Sequence, residues 1–329
     1  MGRKLRIAIG MLCAAAATVY VGNASWRVSP SPEARTEVIA HRGIHQTFGR
    51  DDLDSETCTA TRMDTPRHGY IENTIASMRA AFDAGADIVE LDVHPTTDGH
   101  FAVFHDWTLD CRTNGSGRTR DHDLVYLKSL DIGHGYTTDG QTYPFRGKGV
   151  GAMPELREVL TAFPDRRLLV NFKSREAREG DMLAALLNDN PRGRTAIWGV
   201  YGGGEPTLAA KSAVPALRAW TRSGLKDCLL GYLGLGWSGH VPAACRDTIV
   251  MVPLNLAPFV WGWPHLFTER MKAAGSRVIL VGPFHRGDPG VAGIDTPEQF
   301  ARVPQDFDGL IWTNRVEDIA PLVRQRLTR

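Results

Sequence analysis

From Val38 onward the chain alternates short continuous apolar runs with longer stretches in which apolar positions recur every three or four residues. The runs predict buried strands at Val38–Ala40, Ile88–Val93, Phe101–Phe104, Leu168–Phe172, Ala196–Val200, Ala216–Ala219, Ile249–Val252, Val278–Val281 and Leu310–Trp312. The stretches between them predict helices at Thr74–Ala84, Glu155–Ala162, Arg175–Asn188, Thr207–Ser212, Leu225–Gly231, His265–Ala273, Pro297–Val303 and Val316–Arg326. Asn73 stands as a cap for the first of these, Pro297 suits a first helical turn, and Gly85 and Gly275 act as stops. Strands alternating with helices call for a parallel sheet, and about eight such units predict an α/β fold of the TIM (β/α)8 barrel type. Two stretches, Ile44–Tyr70 and Asp131–Ala152, show neither period. They are expected to be loop excursions over the catalytic face, each too poor in apolar residues to form a core.

The first residues obey a different rule. Arg3, Lys4 and Arg6 precede an uncharged stretch, Ile7 to Val21, and then Gly22-Asn23-Ala24-Ser25. That order predicts either an export signal cut after Ala24 or a retained N-terminal membrane anchor. The apolar run is shorter than the ~20 residues a span usually needs. Either way the remainder is expected outside the cytoplasm, in the periplasm or the extracellular space. The chain thus divides into a signal or anchor at 1–24, a linker at 25–36 containing Ser29-Pro30-Ser31-Pro32, and one barrel domain at 37–329.

Composition narrows the partner. The 329 residues are 43% hydrophobic and 23% charged, with a net charge of +1. No basic footprint for nucleic acid is present, and a small molecule is the expected ligand. Besides Cys13 there are four cysteines, Cys58, Cys111, Cys228 and Cys245. In an oxidising compartment an even number predicts disulfides, and loop neighbourhood favours Cys58–Cys111 and Cys228–Cys245 over buried free thiols.

The chemistry-bearing residues gather where strands end. Glu90 and Asp92 lie two apart on a strand and share a face, so their charges require a cation or a proton between them. Oxygen ligands of this kind suit Ca²⁺ or Mg²⁺. His41 and His105 each follow an apolar run, in positions for a general acid and a general base on two sides of a phosphate. Arg42 offers a bidentate contact to phosphate oxygens. Asn171 and Lys173 form a second period-two pair, a neutral carbonyl ligand and a phosphate contact. His94 shares the face of Glu90 and Asp92. Plainer readings apply to Gly202-Gly203-Gly204, as a strand-to-helix turn, and to Trp261 and Trp263, as packing.

Taken in order, Ala40-His41-Arg42-Gly43, Glu72-Asn73-Thr74, the segment Gly85 to Gly99 containing Glu90-Leu91-Asp92, His105-Asp106 and Cys111-Arg112-Thr113-Asn114-Gly115 resemble the glycerophosphodiester phosphodiesterase family. The likeness is dense from Val38 to about Ile132 and returns at Asp308 to Asn314. It implies a phospholipase C-like phosphodiesterase TIM barrel, a divalent cation, and hydrolysis of glycerophosphodiesters to sn-glycerol 3-phosphate and an alcohol. Residue by residue, it implies metal ligation by Glu90 and Asp92 and proton transfer by His41, as acid, and His105, as base. It also implies phosphate contacts from Arg42 and Lys173, and site support from Glu72, Asn73 and Trp312. The family's implied nucleophile is the substrate's own glycerol hydroxyl. Asn171 departs from the pattern, since the third ligand there is commonly glutamate; one negative charge fewer should weaken cation binding. The long insert between His41 and Glu72 is a second departure. Two other functions fit the same residues less well: a phospholipase or sphingomyelinase D-like enzyme acting on lipid or lysolipid, and a barrel that binds phosphodiesters without turnover.

Overall fold

The computed structural model describes residues 2–30, 33–50, 52–53, 57–286 and 292–327. Ser31 and Pro32 of the expected linker, and a few residues of the expected loop at 44–70, lie outside the described residues. The helices and strands, in chain order, are α1 (Arg3–Gly22), β1 (Glu37–Ala40), α2 (Ile75–Ala84), β2 (Ile88–Pro95), β3 (Phe101–Val103), α3 (Leu124–Ser129), α4 (Leu156–Ala162), β4 (Arg167–Phe172), α5 (Arg178–Asn188) and α6 (Pro191–Ala196). The second half adds β5 (Ile197–Gly202), α7 (Gly204–Ala213), β6 (Arg218–Ala219), α8 (Arg222–Leu235), β7 (Ile249–Pro253), α9 (His265–Ala273), β8 (Arg277–Val281), α10 (Pro297–Ala301), β9 (Leu310–Thr313) and α11 (Val316–Leu327).

Eight strands pair in parallel in the order β6-β5-β4-β2-β1-β9-β8-β7, and the short β3 adds antiparallel to β2. The two ends of this order approach each other, with the Thr248 hydroxyl donating to the Ala219 carbonyl at 2.8 Å. The result is a nearly closed TIM barrel. Strand parity then sorts the side chains. Ile39, Ile88, Leu169, Ile249, Ile279 and Leu310 plug the interior, and Trp198 and Trp312 pack with them. The opposite parity, with Val38, Val89, Val170, Val250, Val278 and Ile311, packs outward on the helices. Both faces are covered, which is why the strands read as continuous apolar runs. Interior parity continues past the plug to His41, Glu90, Asp92, His94 and Asn171, so polar residues crown the C-terminal ends of the strands.

Two expectations need correction. The cap of α2 is Thr74, whose side chain accepts from Ser77 N while the Ser77 hydroxyl takes Thr74 N. Asn73 sits one residue earlier, at a φ of 57°, with its side chain turned to the strand ends. The unpatterned stretches also contribute to a core after all. Ala60 and Met63 from one, and Ile132, Tyr136 and Phe145 from the other, pack with Ile71, Phe104, Leu109, Leu127, Leu130 and Met153 into a second buried cluster. Each stretch is apolar-poor alone, and the cluster exists only because they meet. Cys58–Cys111 crosses this subdomain and Cys228–Cys245 joins α8 to the segment before β7, both as expected.

Candidate active site

All ten residues singled out from the sequence converge at the C-terminal mouth of the barrel. The turn after β1 begins it. His41 N donates to Thr313 O at 3.0 Å, and Arg42 adopts a left-handed φ of 57°. Gly43 follows at φ 76°, with its Cα so close to α2 that a Cβ would come within 2.6–2.9 Å of Ser77 and Met78 atoms. Only glycine fits there, and the approach sets Arg42 pointing back across the strand ends.

Arg42 meets three carboxylates. Its backbone N donates to Glu90 Oε2 at 3.1 Å, its Nη1 donates to Glu72 Oε1 at 3.1 Å, and its Nε lies 3.2 Å from Asp92 Oδ2. Asn73 braces Asp92 twice: Nδ2 donates to Oδ2 and Oδ1 accepts from the Asp92 backbone N, both at 3.0 Å. The remaining Asp92 oxygen accepts from Asn171 Nδ2 at 2.8 Å and has Lys173 Nζ at 3.7 Å. The remaining Glu90 oxygen accepts from the Tyr201 hydroxyl at 2.7 Å.

These contacts divide the pair electrostatically. Burial, followed by the charge on Asp92, pushes the Glu90 carboxyl up to about 8. Burial acts on Asp92 in the same sense, but Lys173 and Arg42 outweigh it and hold that carboxyl far below its ordinary range. Glu72 is likewise held down, with Arg112 and Arg42 overcoming its burial. Burial thus makes Glu90 favour its protonated form, which a cation held between the two carboxylates would reverse. The donor set suits a hard cation, with Asn171 as a third donor once its amide turns to offer oxygen. Among the described residues no three His, Cys, Asp or Glu side chains gather around one point as a cation cage.

The two imidazoles stand on either side. His41 Nδ1 contacts Asn314 Oδ1 at 2.6 Å. Since that oxygen only accepts, the proton lies on Nδ1 and Nε2 is the free nitrogen, 3.9 Å from Glu90 Oε2. Asn314 is fixed by Asp295, which accepts from Asn314 N at 2.7 Å and Nδ2 at 2.9 Å. Trp312 packs against the His41 ring at 4.8 Å between centroids. His105 Nδ1 contacts Asp106 Oδ1 at 2.6 Å, and the other Asp106 oxygen accepts from Arg112 Nε at 2.8 Å. Arg112 also donates to Glu72 Oε2 at 3.1 Å and to the hydroxyls of Tyr136 and Thr59. Burial, then the charge of Arg42, lowers both imidazoles well below their ordinary value.

Other residues join the site without having been anticipated. Tyr201, Asp295 and the buried His45, whose ring meets that of His41 at 5.7 Å, carry no sequence signal beyond ordinary strand and loop character. Asp106, Arg112 and Asn314 stood inside quoted motifs, yet their bracing roles needed the fold. His94 lies behind the site, its Nε2 3.4 Å from the His105 carbonyl oxygen and its ring edge on Trp107. The glycine run is a strand-to-helix turn, and Gly202 is required because a Cβ there would overlap Asn171 Oδ1. Trp261 and Trp263 pack: Trp261 Nε1 donates to the Leu233 carbonyl, and Trp263 lies against Phe267 and Phe307.

Comparison with known proteins points to one family. Residues 41–186 match the Glycerophosphoryl diester phosphodiesterase family. A glycerophosphodiester phosphodiesterase of Caldanaerobacter subterraneus subsp. tengcongensis is 42% identical over 139 residues, which is 42% of this chain and 45% of that protein. The match thus spans less than half the length of that relative. Among solved structures, the glycerophosphoryl diester phosphodiesterase domain of a Mycobacterium tuberculosis protein superposes with a TM-score of 0.60 at 18% identity, over 89% of this chain and 99% of that domain. An Oleispira antarctica phosphodiesterase, solved in complex with the product sn-glycerol-3-phosphate, superposes with a TM-score of 0.53 at 18% identity, over 90% of this chain and 98% of its own. The structural likenesses establish the barrel.

Proposed function

We propose that this chain, which belongs to the glycerophosphoryl diester phosphodiesterase family, hydrolyses glycerophosphodiesters to sn-glycerol 3-phosphate and an alcohol. The observation that carries the reading is the pair of braced imidazoles flanking one buried acidic centre. Each has its Nδ1 engaged, so each offers Nε2 for proton transfer.

In this reading the phosphodiester lies over Asp92 and between His41 and His105. Arg42 and Lys173 contact its nonbridging oxygens, and the fixed set of donors opposes the charge that builds at phosphorus. His105 takes the proton of the attacking hydroxyl, either water or the substrate's own glycerol hydroxyl, in which case the cyclic phosphate formed is opened by water in a second step to give glycerol 3-phosphate. His41, once protonated, gives its proton to the departing alcohol. A carboxylate touching an imidazole stabilises its protonated form more than an amide does. Asp106 therefore suits His105 to gain a proton, and Asn314 suits His41 to lose one.

Glu90, Asp92 and Asn171 would hold Ca²⁺ or Mg²⁺, which when bound supplies Lewis-acid polarisation of the phosphate oxygens. The two disulfides and the apolar N-terminal helix support export, so in this reading the reaction runs outside the cytoplasm.

The test is release of glycerol 3-phosphate from glycerophosphocholine and glycerophosphoethanolamine, with Ca²⁺, with Mg²⁺ and with EDTA. Metal-dependent release is expected. Full activity in excess EDTA would remove the cation from the proposal, and no release under any condition from folded protein would remove the reaction.

A further inference from the structure

The N-terminal helix is joined to the barrel in a way that a discarded leader would not need. None of the residues of α1 is buried, but the two that follow it are. Asn23 Nδ2 donates to the Trp237 carbonyl at 2.7 Å, and Asn23 Oδ1 accepts from Arg270 Nη1 at 2.9 Å. The same arginine nitrogen reaches the Tyr232 hydroxyl and the Gly236 carbonyl, each at 3.0 Å. Two residues on, Ser25 Oγ accepts from His265 N at 2.9 Å, at the start of α9. A socket built from α8, the turn after it, and α9 thus holds Asn23, Ala24 and Ser25.

Beside this socket the barrel wall is apolar on its outer side. An outer helix of a barrel ordinarily turns polar residues to water. α8 buries Cys228 and Tyr232 inward, yet its outward positions Leu230 and Leu233 are 58% and 45% exposed. Trp237 follows Leu230 by two turns and is 48% exposed, with Leu235 adjacent at 50%. Trp26, just past the socket, is 70% exposed. Arg27, Arg222 and Lys226 are exposed in the same segments and suit anionic headgroups, alongside one exposed acid, Asp227. The patch is continuous with α1, a helix of 20 residues that touches the barrel at the turn after α8 and has no buried residue. An apolar medium suits both together.

We propose that α1 is retained as a membrane anchor and that the outer side of α8 and the turn after it, carrying Leu230, Leu233 and Trp237, rests on the bilayer from which α1 emerges. The barrel is then seated against the membrane instead of tethered by a free linker. This inference is independent of the reaction proposed above, and its test does not use activity.

The full chain would be purified from host membranes and reconstituted in phosphatidylethanolamine–phosphatidylglycerol vesicles containing a phospholipid with a diazirine in its acyl chain. Before reconstitution, thiol titration of denatured, unreduced protein should find one thiol, that of Cys13. No thiol, with a mature N-terminus at Ser25, would overturn retention. After irradiation, lipid adducts are expected on both residues 7–22 and the tryptic peptide 227–246. Adducts confined to 7–22, or cross-links between two copies of the chain in place of lipid adducts at 227–246, would overturn the seating. A Leu233→Ser/Trp237→Ser variant should lose at least ~10-fold of the label on 227–246 and keep that on 7–22. Leu230→Lys serves as an independent variant with the same expectation. Undiminished labelling of 227–246 in both variants would equally overturn it.

Discussion

The two imidazoles of the centre are braced by different means. His41 touches a neutral amide, and the charge behind it, on Asp295, is one residue removed. His105 touches a carboxylate directly, and that carboxylate is pinned by Arg112. The supports also differ in origin. Asn314 directly follows the closing strand β9, and Asp295 lies in the loop between β8 and α10, beside β9 through the hydrogen bond from Ile294 N to Trp312 O. Asp106 and Arg112 come from the loop subdomain, with Tyr136 and the Cys58–Cys111 bridge around them. One side of the centre is therefore tied to the barrel's closing strand. The other depends on a small satellite core. Burial and Arg42 lower both rings alike, and in the proposed mechanism it is the contact at Nδ1 that divides their roles: a carboxylate favours gaining a proton, and an amide favours releasing one.

The severest way to break the comparison is to remove either member. His41→Ala and His105→Ala are each expected to lower turnover by at least ~100-fold, measured as glycerol 3-phosphate release. Near-normal turnover in one would take that residue out of proton transfer. Making the braces alike comes next. Asp106→Asn should reduce kcat/KM by roughly 10–100-fold and move the acidic limb of its pH profile to lower pH, because a base that has lost its carboxylate neighbour titrates lower. Asn314→Asp should act on the other limb: a carboxylate beside His41 raises its pKa, and the alkaline limb moves to higher pH. Shifts on the opposite limbs would exchange the two roles.

Smaller effects test the scaffolding. Cys58→Ser opens a bridge with a sequence separation of 53, and loop-closure entropy assigns it about 4 kcal/mol. The Cys228–Cys245 separation of 17 corresponds to about 3 kcal/mol. Urea denaturation should rank them so. Only the first should also depress activity at a urea concentration where both variants remain folded, since it alone borders Arg112.

The smallest effect belongs to the His41 side. Burial pushes the neighbouring His45 down to about 4 from an ordinary 6.5. Between those values the unfolded chain binds a proton that the folded chain does not. Stability is thus complete above pH 6.5 and falls as pH drops toward 4, by up to ~1.4 kcal/mol per unit. His45→Gln should flatten that slope in urea midpoints taken across the window, and an unchanged slope would assign it to other groups, such as His94.

How much of this was written in the sequence depends on whether a residue's neighbours lie along the chain or across the fold. The strands were legible because both their faces are buried, and Glu90 and Asp92 because period two puts them on one face whatever else happens. The cap of α2 was misplaced by one residue: Asn73 and Thr74 are both good caps, and only the fold shows that Asp92 claims the asparagine. The satellite core was illegible because its apolar residues come from several stretches, none sufficient alone. Tyr201 and Asp295 gave no signal, since a strand tyrosine and a loop aspartate are commonplace until the hydrogen bonds of Glu90 and Asn314 are counted.

The pairing of the first barrel strand with the last has a consequence in time. His41 leaves the ribosome among the earliest residues of the barrel, whereas Asn314 is 273 positions later and β9, which accepts the His41 backbone N–H, is the last strand made. Until the final segment has emerged and docked between β1 and β8, the first histidine has neither its tautomer nor its place. Catalytic competence is a property of the finished chain alone, and a nascent or prematurely terminated copy has a half-built centre.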